Sequence, residues 1–400
     1  MPDATPAIVS APSELAPARR RTLLAACGAH AVNDGLTDLI YVLLPIWQVQ
    51  FGLSYAQIGL MRGAYSATMA GFQLLASRAA RRFGRQTLLV GGTALVGVAY
   101  LLAGQAGGLV ALMAALMLGG LGASTQHPLA SSLVSDTHEP GRQVKQALSH
   151  YNFAGDIGKT LIPALVGVSL TVMSWRLSVT LAGLLGLLAA LAMYLLIPRN
   201  VERQRSAAGK AGAGEGSGSV SGLRALLATG VLDSAVRMGF LTFLPFLLGD
   251  KGAGTAGIGL ALTLLFIGGA FGKLICGYLG ARIGLLKTVW FSESLTAVLI
   301  VAAVYLPLQG LMLLLPLLGL VLNGTSSVLY GVVPELAAPG RREQAFALFY
   351  TGTIGGGALA PIVFGRLGDA SGVPLALMAL AATLLLTLPL TWYVDRGLEG

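Results

Sequence analysis

Apolar residues along this chain gather into twelve long runs separated by short polar breaks. They lie near 22–48, 56–77, 87–104, 109–134, 143–173, 176–197, 223–249, 257–280, 288–306, 311–337, 344–367 and 375–394. At about 1.5 Å per residue, a helix of roughly 20 residues crosses a bilayer core of about 30 Å. The pattern predicts an all-α polytopic membrane protein with twelve transmembrane helices. The run 143–173 is longer than one crossing needs and is expected to include an interfacial turn.

The first run contains a stretch that lipid would reject: HAVNDGLTDLIY, residues 30–41. His30, Asn33, Asp34, Thr37, Asp38 and Tyr41 recur at steps of three and four, so a helix places them in one stripe. Ala31, Val32, Leu36, Leu39 and Ile40 fall on the other side. Counted from position 22 at about 1.5 Å per residue, Asp34 lies roughly 18 Å deep, near the midplane. A charge there costs at least about 2.5–3.5 kcal/mol, so it faces a wet cavity or a partner. One acid could tie two helices together, but a six-residue polar stripe exceeds that need. Asp34, with Asp38, is therefore expected to exchange protons, since desolvation and a second carboxylate one turn away both favour the protonated form.

The stretch 198–222, PRNVERQRSAAGKAGAGEGSGSVSG, is charged and then rich in Gly, Ser and Ala, which is linker composition. It separates six runs from six, and the halves repeat at a shift of 200. Pro45 meets Pro245, Ile58-Gly59-Leu60 meets Ile258-Gly259-Leu260, and Arg82-Phe83-Gly84 meets Arg282-Ile283-Gly284. EPGRQ at 139–143 parallels APGRR at 338–342, and Pro163 pairs with Pro361. The expected organisation is a disordered tail over 1–21, a six-helix bundle over 22–197, a linker over 198–222, a second bundle over 223–394 and a short tail over 395–400.

Composition narrows the class further. Of 400 residues, 55% are hydrophobic and 11% charged, with 55 glycines. Mean hydropathy is +0.76. So few charges could not cover a soluble surface, whereas Gly-rich apolar runs suit helices packed in lipid. The net charge of +9 is topological rather than a nucleic-acid patch. With both termini in the cytoplasm, 19 of the 26 Lys and Arg fall on cytoplasmic segments, and only Arg176, Lys251 and Arg366 lie in or beside the opposite loops. That bias fixes the orientation. Cys27 and Cys276 offer neither metal spacing nor a disulfide framework. No metal or cofactor is expected.

Two six-helix halves joined by a basic linker resemble the major facilitator superfamily. Its loop signature G-x-L-A-D-R-x-G-R survives in part as SRAARRFGR, 77–85, and as GYLGARIGL, 277–285, with Arg81 and Ala281 in place of the acid. The resemblance makes Arg82, Gly84, Arg85, Arg282 and Gly284 the cytoplasmic gating loops. A finer resemblance runs through His30, Asn33, Asp34, Pro45, Gln48, Phe51 and Leu53, then His127-Pro128 in the fourth run and GDIGKTLIP, 155–163, in the fifth. This set is similar to the fosmidomycin-resistance branch, whose members resemble proton-driven drug exporters. Asp156 and Lys159 depart from that branch, which favours uncharged polar residues in the fifth helix.

Other membrane-depth charges carry two readings each. Asp233 and Arg237, one turn apart, pair with Asn33 and Thr37 across the repeat and form either a self-neutralised pair or a substrate contact. Asp156 and Lys159 point to function, because Gly155 and Gly158 let a helix or ligand approach. Arg62 lies toward the outer end and either snorkels or binds ligand. His127 is a relay or the cap of a kink at Pro128. Lys273 and Glu293, at similar depth, are expected as a buried structural pair. Gly355-Gly356-Gly357 is helix packing, not a nucleotide loop, since no strand precedes it and no Lys-Ser/Thr follows.

The function expected is a proton-coupled secondary transporter of the bacterial inner membrane that exports a small drug-like, anionic or zwitterionic compound by alternating access. Proton coupling falls to Asp34, Asp38, Asp156 and His30. Substrate binding falls to Asn33, Thr37, Tyr41, Arg62, His127, Lys159, Asp233, Arg237, Asn323 and Tyr330. The expected partners are a small-molecule substrate, protons and the lipid bilayer, with a monomer and no nucleic acid. An importer or facilitator of an organic anion fits the same pattern. An intramembrane enzyme or receptor does not, since no HExxH, Ser/His/Asp set or paired-histidine metal cluster is present.

Overall fold

The computed structural model describes residues 12–138, 142–197, 219–338 and 341–399. Residues 1–11 of the expected tail and 198–218 of the expected linker lie outside them, as do the centres of EPGRQ and APGRR. The first half comprises α1 (Pro12–Phe51), α2 (Tyr55–Phe83), α3 (Arg85–Gly104), α4 (Leu109–Ala123), α5 (Ser131–Thr137), α6 (Arg142–Ser169) and α7 (Trp175–Leu196). The second comprises α8 (Val220–Asp250), α9 (Thr255–Ile283), α10 (Leu285–Tyr305), α11 (Leu308–Leu336), α12 (Arg342–Ser371), α13 (Val373–Leu384) and α14 (Thr387–Glu399). A π-helical turn, Gln126–Ala130, joins α4 to α5. Pro128 lacks an N–H, so the hydrogen-bond ladder shifts register there instead of continuing. Counting α4–α5 and α13–α14 as single rods, the described residues form twelve rods in two bundles of six.

One boundary differs from the expectation. The segment read as a tail is helical from Pro12, a residue suited to a first helical turn, and the helix continues through Pro17 into the first apolar run. The run 143–173 does include a turn, at 170–173, and α6 is unbroken before it. Among the described residues, nine rods are long and apolar enough to qualify as spans by composition alone. The three that are not, α1, α2 and α6, carry the polar stripe, Arg62 and the Asp156/Lys159 pair.

The duplication is structural. Gly52 and Gly252 both have positive φ (61° and 91°), as do Gly84 and Gly284 (86° each). The last two make the one-residue turns between α2 and α3 and between α9 and α10, where a side chain would be strained. Packing repeats as well: α1 lies on α6 as α8 lies on α12, and α2 crosses to α12 as α9 crosses to α6.

Those two crossings join the halves, chiefly at the face away from the described chain ends. The Asp369 carboxylate at the end of α12 accepts the N–H groups of Tyr55 (2.6 Å) and Ala56 (3.0 Å), which begin α2. The Tyr55 ring meets Phe246 edge-on at 5.2 Å. At the α6–α9 crossing, Thr263 donates its hydroxyl to the carbonyl of Thr160 at 3.1 Å.

Candidate functional site

Between the halves lies a cavity of about 480 Å³. The α1 stripe supplies His30, Asp34, Thr37, Asp38 and Tyr41, and α2 supplies Arg62 and Met69. His127 enters from the π-helical turn, and Asn152, Asp156 and Lys159 from α6. From the second half come Arg237, Met238 and Leu241 on α8, Phe266, Gly269, Ala270 and Lys273 on α9, Asn323, Ser326, Ser327 and Tyr330 on α11, and Tyr350 on α12.

Asp34 is the hub of the first half. It is 4% exposed, and four side chains converge on its carboxylate. Lys159 Nζ and His30 Nε2 each lie 3.2 Å from Oδ2, His127 Nε2 lies 3.7 Å from Oδ1, and Asn33 Nδ2 donates to Oδ1 at 3.3 Å. The His30 ring stacks on Tyr151 at 4.0 Å and stands edge-on to His127 at 5.2 Å. Its Nδ1 lies 2.8 Å from the Tyr151 carbonyl, which can only accept, so Nδ1 carries the hydrogen. Nε2 is then a bare lone pair facing a carboxylate, and no other hydrogen-bond partner reaches it. A hydrogen bond forms there only when a proton lies between the two groups.

Glycine makes this convergence possible. A Cβ on Gly155 would stand 2.7 Å from His30 Cε1 and 3.0 Å from Asp34 Oδ2, and one on Gly158 would collide with the Ala31 carbonyl. The two glycines admit α1 to the face of α6. Lys159 and Asp156 are not paired to each other. Lys159 goes to Asp34, and Asp156 Oδ1 meets Lys273 Nζ at 2.5 Å across the two halves. This corrects the expected Lys273–Glu293 pair, because α9 turns Lys273 toward α6 rather than toward α10. Glu293 lies instead beside Asp233.

Deeper in the cavity, Arg62 is held rather than snorkelling. It is 3% exposed, donates to the Tyr41 hydroxyl at 2.9 Å and to Ser66, and lies over the Tyr41 ring at 4.8 Å. Thr37 is tied to the Asn33 carbonyl at 2.9 Å and to the Tyr65 hydroxyl at 2.8 Å. Asp38, 7% exposed, lines the cavity within the fields of Lys159 and Arg62. In the second half Arg237 Nη2 meets Asp233 Oδ2 at 3.2 Å; Arg237 lines the cavity and Asp233 lies behind it. Asn33 likewise supports the cavity from behind through Asp34. The loop residues lie far from this centre: Arg85 donates to Ser132 at 2.5 Å, Arg82 lies over Phe83 and Arg282 over Tyr278.

Sequence reading missed Asn152, Ser326 and Ser327, although their spacing was available. Asn152, Asp156 and Lys159 recur at i, i+4 and i+7, and Asn323, Ser326, Ser327 and Tyr330 at i, i+3, i+4 and i+7, the same period that exposed the α1 stripe. His30, Asp34 and His127 also offer donor atoms within 4.8 Å of one another, a cluster of the kind that holds metals. The Lys159 ammonium already occupies the cationic place beside Asp34. A divalent ion there would stand against that ammonium.

The chain belongs to the Major Facilitator Superfamily, whose sequence pattern matches residues 26–232 and 226–399. It is 25% identical over 365 residues to the fosmidomycin resistance protein of Escherichia coli (strain K12), covering 87% of this chain and 86% of that one. It is 30% identical over 172 residues to the major facilitator superfamily multidrug transporter mfsC of Aspergillus fumigatus, covering 42% of this chain and a third, 33%, of that one. The crystal structure of a bacterial homolog to the human lysosomal transporter Spinster, inward-facing and unoccupied, superposes with a TM-score of 0.79 at 18% identity, over 96% of this chain and 98% of that one. The protein is a multi-pass membrane transporter of small molecules and not an enzyme.

Proposed function

We propose that the protein is a proton-coupled exporter of a small drug-like compound, anionic or zwitterionic, acting as a monomer in the bacterial inner membrane. The observation that carries this reading is the His30–Asp34–Lys159 cluster, which sets a group with two protonation states against a fixed cation on the wall of the central cavity. Cationic Arg62, Lys159 and Arg237 favour a substrate bearing negative charge, and Tyr41, Asn323 and Tyr330 offer polar contacts around it. Loss or gain of the proton at Asp34 changes the hold on Lys159, and so the charge offered to substrate. Rocking of one bundle against the other then alternates access.

Orientation rests on the Lys and Arg bias, which sets both termini in the cytoplasm. The α2–α12 and α6–α9 crossings then seal the periplasmic side, in keeping with an inward-open conformer. A drug-like substrate is supported by the likeness to the fosmidomycin resistance protein of E. coli, along most of both chains.

The test is a drug panel that includes fosmidomycin, run in a pump-deficient bacterium with and without a proton uncoupler. Expression of the wild type raises resistance to at least one compound, the uncoupler abolishes the effect, and Asp34→Asn removes it while leaving protein level unchanged. Uncoupler-insensitive resistance, or full activity of Asp34→Asn in everted vesicles under an imposed pH gradient, would overturn the reading.

A further inference from the structure

The buried charges of the bundle fall into two clusters, and the two do not balance alike. At mid-depth among the described residues, Asp34, Asp38 and Asp156 face Arg62, Lys159 and Lys273, the last reaching over from α9 of the second half, three acids against three bases. In the second half, Asp233 and Glu293 share one base, Arg237. Asp233 is 4% and Glu293 2% exposed. Neither lines the central cavity, so water screens neither.

The two carboxyl groups are within hydrogen-bonding reach of each other. Two carboxylates can only accept, so a bond between them requires a proton on one. Around them the second half supplies hydroxyls rather than cations. Thr325 of α11 lies beside Glu293, and Ser292 meets Thr325 at 2.7 Å. Oε1 of Glu293 has no hydrogen-bond partner. The titratable groups facing the pair are Arg237 of α8, Cys276 of α9 and Tyr330 of α11. From α12, Tyr350 faces Arg237. α13 carries no ionisable residue, and the Asp395 and Arg396 of α14 lie in its last turns. With one base and two acids in a dry place, the neutral arrangement holds one proton.

We propose that Asp233 and Glu293 share one proton and form a proton-binding site in the second half, separate from the His30–Asp34 contact. The site communicates with the cavity through Arg237, which touches Asp233 on one side and lines the cavity on the other. A further proton neutralises both acids and releases Arg237 to the cavity. Loss of the shared proton leaves two carboxylates competing for Arg237 and draws it away. Proton number at the pair thereby sets the charge the second half presents to substrate. This deepens the proton-coupled reading above and rests on it for its part in transport, not for the existence of the site.

The test is infrared spectroscopy of the full-length protein in lipid nanodiscs, following the C=O stretch of protonated carboxylic acid in H2O and D2O at neutral pH. The wild type is expected to show such a band, shifted in D2O. Glu293→Gln removes it, because Asp233 then pairs with Arg237 as a carboxylate, whereas Asp34→Asn retains it. Thr325→Val keeps both acids but removes the hydroxyl beside Glu293, so the band moves without vanishing; this arm serves if Glu293→Gln does not fold. A wild type without the band, a band indifferent to both Glu293→Gln and Thr325→Val, or a band lost only in Asp34→Asn overturns the proposal. A band behaving as expected while a pH gradient drives no drug flux would refute the coupling and leave the proton site standing.

Discussion

Asp156 and Lys273 meet at 2.5 Å across the two halves, at mid-depth, where α6 crosses α9. Both line the central cavity, and both also line an apolar groove of about 710 Å³ between the same helices. The pair therefore stands in the wall between cavity and lipid. A charge-assisted bond of this kind contributes roughly 1.5–3 kcal/mol, toward the lower end here because Lys273 keeps 39% of its side chain exposed. Asp156→Asn and Lys273→Gln are each expected to lower the unfolding midpoint in detergent. The exchanged pair, Asp156→Lys with Lys273→Asp, regains most of the loss. Strictly additive losses in that double-mutant cycle would show that the contact carries no coupling energy.

Asp369 closes the other crossing between the halves, where α12 meets α2. Its carboxylate caps the start of α2 from the other bundle, taking the first two free N–H groups of that helix. Loss of such a cap costs about 1 kcal/mol, and here the cost falls only on the conformer in which α2 and α12 touch. Asp369→Ala is therefore expected to raise the population opened at this face about 5-fold. Spin labels on cysteines placed at Gln50 and Ser371, both exposed, with Cys27 and Cys276 replaced, report it as added weight at long distance. An unchanged distance distribution would rule out the cap as a gate.

How far the sequence could be read depended on the range of the interaction concerned. The rods were visible because hydropathy is local: the run 223–249 is α8, Val220–Asp250, to within three residues. The α1 stripe was visible because its period lies within one helix. What remained hidden depended on which rods meet. Asp156 and Lys159 look like an i, i+3 pair, yet one partner is on α1 and the other on α9. Depth alone matched Lys273 with Glu293, and the rotation of α9 separates them. The Tyr151 carbonyl that fixes the His30 tautomer is backbone, so no side-chain pattern could announce it. At His127-Pro128 the kink and the cavity contact proved to be one feature, since the π-helical turn that accommodates Pro128 also aims His127 at Asp34.

Three glycines on α1 and α6 separate stability from function. A Cβ added to Gly28 of α1 would meet nothing within 4 Å, so Gly28→Ala gains helix propensity, up to about 1 kcal/mol, at no steric cost. Gly158→Ala gains the same propensity but drives a methyl into the Ala31 carbonyl, and backbone cannot yield as a side chain does. Overpacking of that kind costs typically about 1–3 kcal/mol, so the unfolding midpoint falls and α1 separates from α6. Gly155→Ala is the instructive case. Its methyl meets the His30 ring and the Asp34 carboxylate, which can move aside at modest cost. Stability then changes little, because propensity offsets the displacement, while the 3.2 Å contact between His30 and Asp34 is lost. Thermal unfolding in detergent and uncoupler-sensitive drug resistance in cells distinguish the three. The expected order of midpoints is Gly28→Ala above wild type, Gly155→Ala near it and Gly158→Ala below. Resistance is kept only by Gly28→Ala. If Gly155→Ala were as resistant as wild type at an unchanged midpoint, the close approach of His30 to Asp34 would have no part in coupling.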